Sequence, residues 1–199
     1  MEWKIDSHHI SCPYKVPTTI YIPIEIYELC KRLDEALRSE WVIYADVLWV
    51  LHNKGILVSP YIPKQVASSA HVEVKESVDL PVAIHSHTPV NMSDFSATDM
   101  EYIVANSEVA LLWVRDGFTK CYHRKKMPCG ERLLVECRTF PVIVLHSSIP
   151  EINIDHLVSE ALQKVERQKT VVEYGYETIR KLYSRDEGSD EEYLYEDTG

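Results

Sequence analysis

Two histidines one residue apart, His85 and His87, end an apolar run, and after a short loop come a serine and an aspartate three residues apart, Ser96 and Asp99. Alternate side chains of a strand share a face, so His85 and His87 can present two imidazoles to one point. The spacing places Asp99 in the first turn of a following helix, and the loop between can fold that carboxylate back toward the same point. Two histidines and one carboxylate, with a fourth position open to water, is a common way of holding catalytic zinc. One Zn2+ per chain, on His85, His87 and Asp99, is therefore the expected cofactor. Each residue also has a plainer reading. A His-x-His pair alone is usually polar surface. Ser96 followed by Asp99 is also a capping box, with Asp in place of Glu, and an acid is favoured at a helix N-terminus by the dipole. The conjunction of all four residues, delivered by an apolar strand, is what points to a metal.

The elements that must position this set can be read from periodicity. Apolar residues at three- and four-residue spacing predict a helix over residues 26–39, with Glu28, Lys31, Arg32, Asp34 and Glu35 filling the gaps. Strands are expected over 41–51 and 55–61, joined at Asn53-Lys54-Gly55 with Gly55 free to take positive φ. Residues 62–80, where Val72 and Val74 alternate, read as a flap or hairpin, and equally as a plain surface loop. Residues 80–84 form a short strand running into His85, and 96–106 a helix. A second hairpin, 109–114 with 118–124, turns at Arg115-Asp116-Gly117. Strand material over 132–145 is broken at Pro141, and helical periodicity runs from Ile154 to Tyr183. The whole is an α/β domain over residues 1–150, a C-terminal helical extension over 151–183, and an acidic tail over 184–199. That tail holds too few apolar groups for a core and is expected to be disordered.

The motif and its setting resemble the JAMM (MPN+) metalloprotease family, whose signature is an upstream Glu, a His-x-His-Pro, a short loop and a Ser-x-x-Asp. His85-Ser86-His87 and Ser96-Ala97-Thr98-Asp99 match it. Glu40, between the first helix and the following strand, stands where the family has its Glu; Glu35 and Asp46 fall inside elements. Thr88 intervenes before Pro89, so eight residues separate His87 from Ser96 where seven are usual, and Ile43 replaces a frequent Gly. The resemblance covers roughly residues 20–145. It implies a curved mixed β-sheet flanked by helices, of the cytidine-deaminase-like type. It also implies hydrolysis of the bond after the C-terminal Gly-Gly of ubiquitin or a ubiquitin-like modifier, as in archaeal homologues of the proteasome-lid deubiquitinase. Glu40 would then take the proton of the attacking water, and the Ser96 hydroxyl would bond the developing oxyanion. The implied partners are ubiquitin or ubiquitin-like conjugates, with a proteasome or ATPase complex and a homodimer left open. A zinc amidohydrolase acting on another substrate and a non-catalytic MPN scaffold remain the alternatives.

Composition narrows the field further. Hydrophobic residues make up 45% of the 199 and charged residues 26%, ordinary for a globular chain. The net charge of −10 argues against nucleic acid as a partner. Residues 184–199 hold seven acids against Arg185 alone, a net of −6. No apolar run is long enough to span a membrane, and the first residues lack a basic segment leading into an apolar one, so a cytoplasmic location is expected. Cys12, Cys30, Cys121, Cys129 and Cys137 are odd in number and irregularly spaced, which predicts free thiols. Cys121, His123, Cys129 and Cys137 lack the close Cys-x-x-Cys pairs of structural zinc, and strand residues are the favoured reading.

Overall fold

The computed structural model describes residues 18–51, 53–87, 93–115, 117–126, 132–142 and 151–168. The chain divides into a unit of residues 1–167 and one of residues 168–199. The expected acidic tail, Cys12 and Cys129 lie outside the described residues, and every described helix and strand belongs to the first unit.

The elements run β1 (Thr19–Pro23), α1 (Ile24–Leu37), β2 (Val42–Leu51), β3 (Lys54–Tyr61), β4 (Gln65–Ala67), β5 (Val72–Val74) and β6 (Val82–His87). A short α2 (Ala97–Asp99) passes into a π-helical turn (Met100–Val104), followed by β7 (Val109–Val114), β8 (Gly117–Lys126), β9 (Arg132–Glu136), β10 (Arg138–Val142), α3 (Ile154–Lys164) and β11 (Val165–Arg167). Eight strands form one mixed sheet in the order β10-β1-β3-β2-β6-β7-β8-β9. β1 pairs parallel to β10 and β3, and β6 parallel to β7; the other pairs are antiparallel. The sheet curves back on itself. β9 pairs with β8 at one end and β10 with β1 at the other, yet only Cys137 separates β9 from β10. The Cys137 amide donates to the Cys121 carbonyl, and that of Arg138 to Thr18.

α1 forms because its apolar residues keep helical spacing. Ile26, Leu29, Cys30, Leu33 and Leu37 are buried against the sheet together with Val158 and Ala161 of α3. Each large apolar side chain so buried contributes roughly 1.5–3 kcal/mol. The opposite face of the sheet carries a smaller cluster of Phe95, Val104, Ala110 and Leu112. β7 is apolar along its length because Val109, Leu111 and Trp113 meet the α1 side while Ala110 and Leu112 meet the other. β6 alternates in the same way. Val82 and Ile84 point to the α1 side, which puts Ala83, His85 and His87 on the face that α2 covers.

Several local expectations change. Gly55 lies inside β3 opposite Trp49, and a Cβ there would meet Val47 Cγ2 at 2.6 Å and the Trp49 ring at 3.1 Å, so its role is close approach instead of a turn. At the turn of the second hairpin Arg115 takes a left-handed conformation, at φ 57°, and Asp116 lies outside the described residues. The 132–145 strand material breaks at Cys137, not at Pro141. Pro141 sits within β10, an end strand of the sheet, where a missing amide is tolerated. Of the helical periodicity read from Ile154 to Tyr183, residues 169–183 lie outside the described residues, and within the described ones the helix is interrupted. α3 stops at Lys164, where Val165 leaves helical geometry (φ −96°, ψ 108°), and β11 pairs with β4. Cys30, Cys121 and Cys137 are free thiols. Among the described residues no helix is long and apolar enough to cross a membrane.

Candidate metal centre

β6 delivers the two imidazoles. His85 is fully buried and His87 nearly so, with ring centroids 4.6 Å apart and planes at 88°. Asp99 reaches them from α2: Oδ2 lies 3.0 Å from His87 Nε2 and Oδ1 3.3 Å from His85 Nε2. One ligand atom from each of the three falls within 4.8 Å of the others. The capping box is also present. Ser96 N donates to Asp99 Oδ2 at 2.8 Å, and Asp99 N donates to Ser96 Oγ at 3.1 Å. Capping and convergence are thus the work of one carboxylate: the cap fixes the Asp99 rotamer, and the rotamer aims it at the histidines.

Two imidazoles and one carboxylate form a donor set that could hold a metal ion. His85 Nε2 is buried and has no well-aligned hydrogen-bond partner, Asp99 approaching it without bonding geometry. An orphaned buried nitrogen is costly unless something else occupies it. Burial pushes the His85 imidazole below its ordinary pKa, the Asp99 carboxylate opposing that shift, and a lowered pKa favours the neutral form a metal needs. Burial raises Asp99, but its interactions with His85, His87 and Ser96 outweigh that and hold its carboxyl far below the usual range. Its other ring nitrogen orients His85: Nδ1 lies 3.3 Å from the Trp41 carbonyl oxygen, the kind of outer contact that sets which nitrogen faces a metal. Sequence reading misses this contact, because the partner is a backbone group 44 residues away.

Glu40 occupies the connection between α1 and β2 and is 5% exposed. It lines a cavity of about 570 Å³ shared with His87, Ser96 and Asp99. Burial pushes its carboxyl up to about 7, with His87 pulling down and Asp99 pushing up. Part of the 62–80 segment lines the same cavity. β4 and β5 make the expected hairpin, and Ala70 to Val74 line the cavity. Two ties fix the hairpin to the start of β2. Glu40 N donates to Ser68 O at 2.8 Å, and the Gln65 amide side chain bonds both the N–H and the C=O of Val42. The structure therefore brings together all five residues singled out in the sequence. Gln65 is a supporting residue that sequence reasoning misses, since its partner is the backbone of Val42, 23 residues away. Among the described residues His85, His87 and Asp99 are the group of three able to hold a metal, and Cys121, His123 and Cys137 form no such group.

No family model matches the chain, and no curated protein matches it. Among solved structures, a JAB1/MPN domain protein from Archaeoglobus fulgidus is similar at 16% identity and a TM-score of 0.33, over 61% of this chain and 96% of that one. A likeness that loose assigns nothing to this chain, whose own geometry carries the functional reading.

Proposed function

We propose that this protein is a zinc-dependent hydrolase that cleaves the peptide or isopeptide bond after the C-terminal Gly-Gly of a ubiquitin-like modifier. The observation that carries the metal reading is the convergence of His85, His87 and Asp99, with a His85 nitrogen left orphaned and buried, and with His87 and Asp99 lining a cavity together with Glu40 and Ser96. Zinc held there would supply Lewis acidity toward a carbonyl and a water whose pKa falls to about 7. Glu40 accepts the proton of the attacking water on its carboxylate and returns it to the leaving amine. Burial raises that carboxyl in the metal-free protein, and the positive charge of a bound zinc would favour its ionised, proton-accepting form. Ser96 Oγ accepts from the Asp99 amide, so its hydroxyl proton is left to donate to the developing oxyanion.

The substrate reading rests on shape. β5 stands at one end of the order β11-β4-β5, and it faces the cavity through Val72 and Val74. An extended segment can add to such an edge, and a Gly-Gly end has no side chains to obstruct approach to the metal.

Zinc content and cleavage of ubiquitin-like fusions, with and without a chelator, test this reading together. About one zinc per chain is expected, lost in His85→Ala/His87→Ala, with cleavage abolished by the chelator. Unchanged zinc in the double variant would overturn the site. Zinc with no cleavage of any such fusion would retain the metal and overturn the substrate.

A further inference from the structure

By spacing alone, Asp34 is one of the charged residues between the apolar positions of α1. The structure gives it another surrounding. Its Oδ1 accepts a hydrogen bond from Trp41 Nε1 at 2.8 Å, and its Oδ2 one from Trp113 Nε1 at 2.6 Å. Both indoles are fully buried. Asp34 falls four residues after Cys30 and three before Leu37, both buried, so it projects along the edge of the helix's apolar stripe. A carboxylate accepting two indole protons makes charge-assisted bonds, stronger than neutral ones.

Trp41 joins that carboxylate to the metal centre. Its amide donates to Ser86 Oγ at 2.9 Å, and its carbonyl accepts from the Ser86 amide at 2.9 Å. The same carbonyl lies 3.3 Å from His85 Nδ1. Glu40 is the preceding residue. Trp41 is thus the point at which the proposed base and a proposed ligand are referred to one residue, and Asp34 is what grips its ring.

We infer that Asp34 is a positioning residue for the metal centre, holding Trp41 so that its carbonyl orients the His85 ring and its chain direction places Glu40. Trp113 belongs to the clamp on the other oxygen: its indole proton steadies Asp34, while the path to His85 runs through Trp41. The effect on metal affinity rests on the zinc reading, whereas the orientation of His85 is a property of the metal-free protein.

The asymmetry of the clamp supplies the test. Asn has a single acceptor oxygen, and its amide N–H groups would face one of the two indole donors. Asp34→Asn is expected to weaken zinc binding about 10- to 100-fold, the usual range for loss of an outer-shell partner. Adding Trp113→Phe removes the competing donor, frees the Asn oxygen for Trp41, and should restore most of that affinity. Trp41→Phe should lose affinity as Asp34→Asn does, and it keeps the test open if Asp34→Asn does not fold. A purely structural role would instead lower the melting temperature of all variants while leaving zinc affinity unchanged, and would give no rescue by Trp113→Phe. Either of those results overturns the inference. Nitrogen-15 spectra of metal-free protein provide the second readout: wild type should show a His85 Nδ1 proton held by the Trp41 carbonyl, and in Asp34→Asn that proton should be lost or exchange rapidly. An unaltered His85 ring there also overturns the inference. If wild type itself binds no zinc, the metal reading fails, and the His85 spectra still decide the role of Asp34.

Discussion

Glu40→Gln keeps size and hydrogen bonding and removes the proposed base. Zinc should remain bound while hydrolysis falls by roughly 10²–10⁴-fold, measured on a ubiquitin-like fusion with metal content determined in parallel. The same variant has a second consequence in the metal-free protein. Burial raises the Glu40 carboxyl from an ordinary 4.5 to about 7. A pKa raised by folding gives no penalty below about 4.5, a growing one between 4.5 and 7, and the full penalty above 7. Metal-free Glu40→Gln should therefore melt several degrees higher than wild type at about pH 8, and the difference should vanish by about pH 4. Equal melting at the higher pH would show that the buried carboxylate carries no penalty. Ser96→Ala removes both a cap acceptor and the proposed oxyanion donor. Turnover should fall about 10²-fold or more, and stability by about 1 kcal/mol. A stability loss without a turnover loss would reduce Ser96 to its capping role.

The elements supply what single residues cannot. β11 follows α3 without a linker and pairs with β4, whose Gln65 grips Val42 of β2. The wall that β5 offers to the cavity is thus supported from its far side by the chain just after α3. Truncation after Lys164 should raise KM for a ubiquitin-like fusion several-fold and leave zinc stoichiometry unchanged, because the proposed ligands lie on β6 and α2. Removal of residues 184–199 alone should change neither the melting temperature nor the cleavage of a small fusion. Seven acids among those sixteen residues leave little apolar surface to offset ordering entropy. A large effect of the shorter deletion would contradict that compositional reading. Unchanged KM in the longer one would detach β11 from substrate binding.

At the scale of the molecule, sequence and tertiary structure divided the work along physical lines. The sequence alone determined the local features: the α1 stripe, the strand carrying His85 and His87 to one face, the Ser96–Asp99 cap, and the mixed α/β class. Each follows from a period of 2 or 3.6 residues or from a side chain bonding its own backbone, and such signals survive without knowledge of partners. The α3 boundary is not legible in the sequence, since apolar spacing continues past Lys164 while pairing with β4 turns the chain extended. Gly55 misleads for the same reason, its constraint being contact with Val47 and Trp49 across a strand pair. Asp34 has the spacing of a solvated helix charge, and only Trp113, 79 residues away, reveals its second bond. Only the tertiary structure decided that Glu40 is buried beside Asp99 and His87, with its carboxyl raised to about 7, because desolvation and field depend on what the sheet's curvature brings near and not on neighbours in the chain.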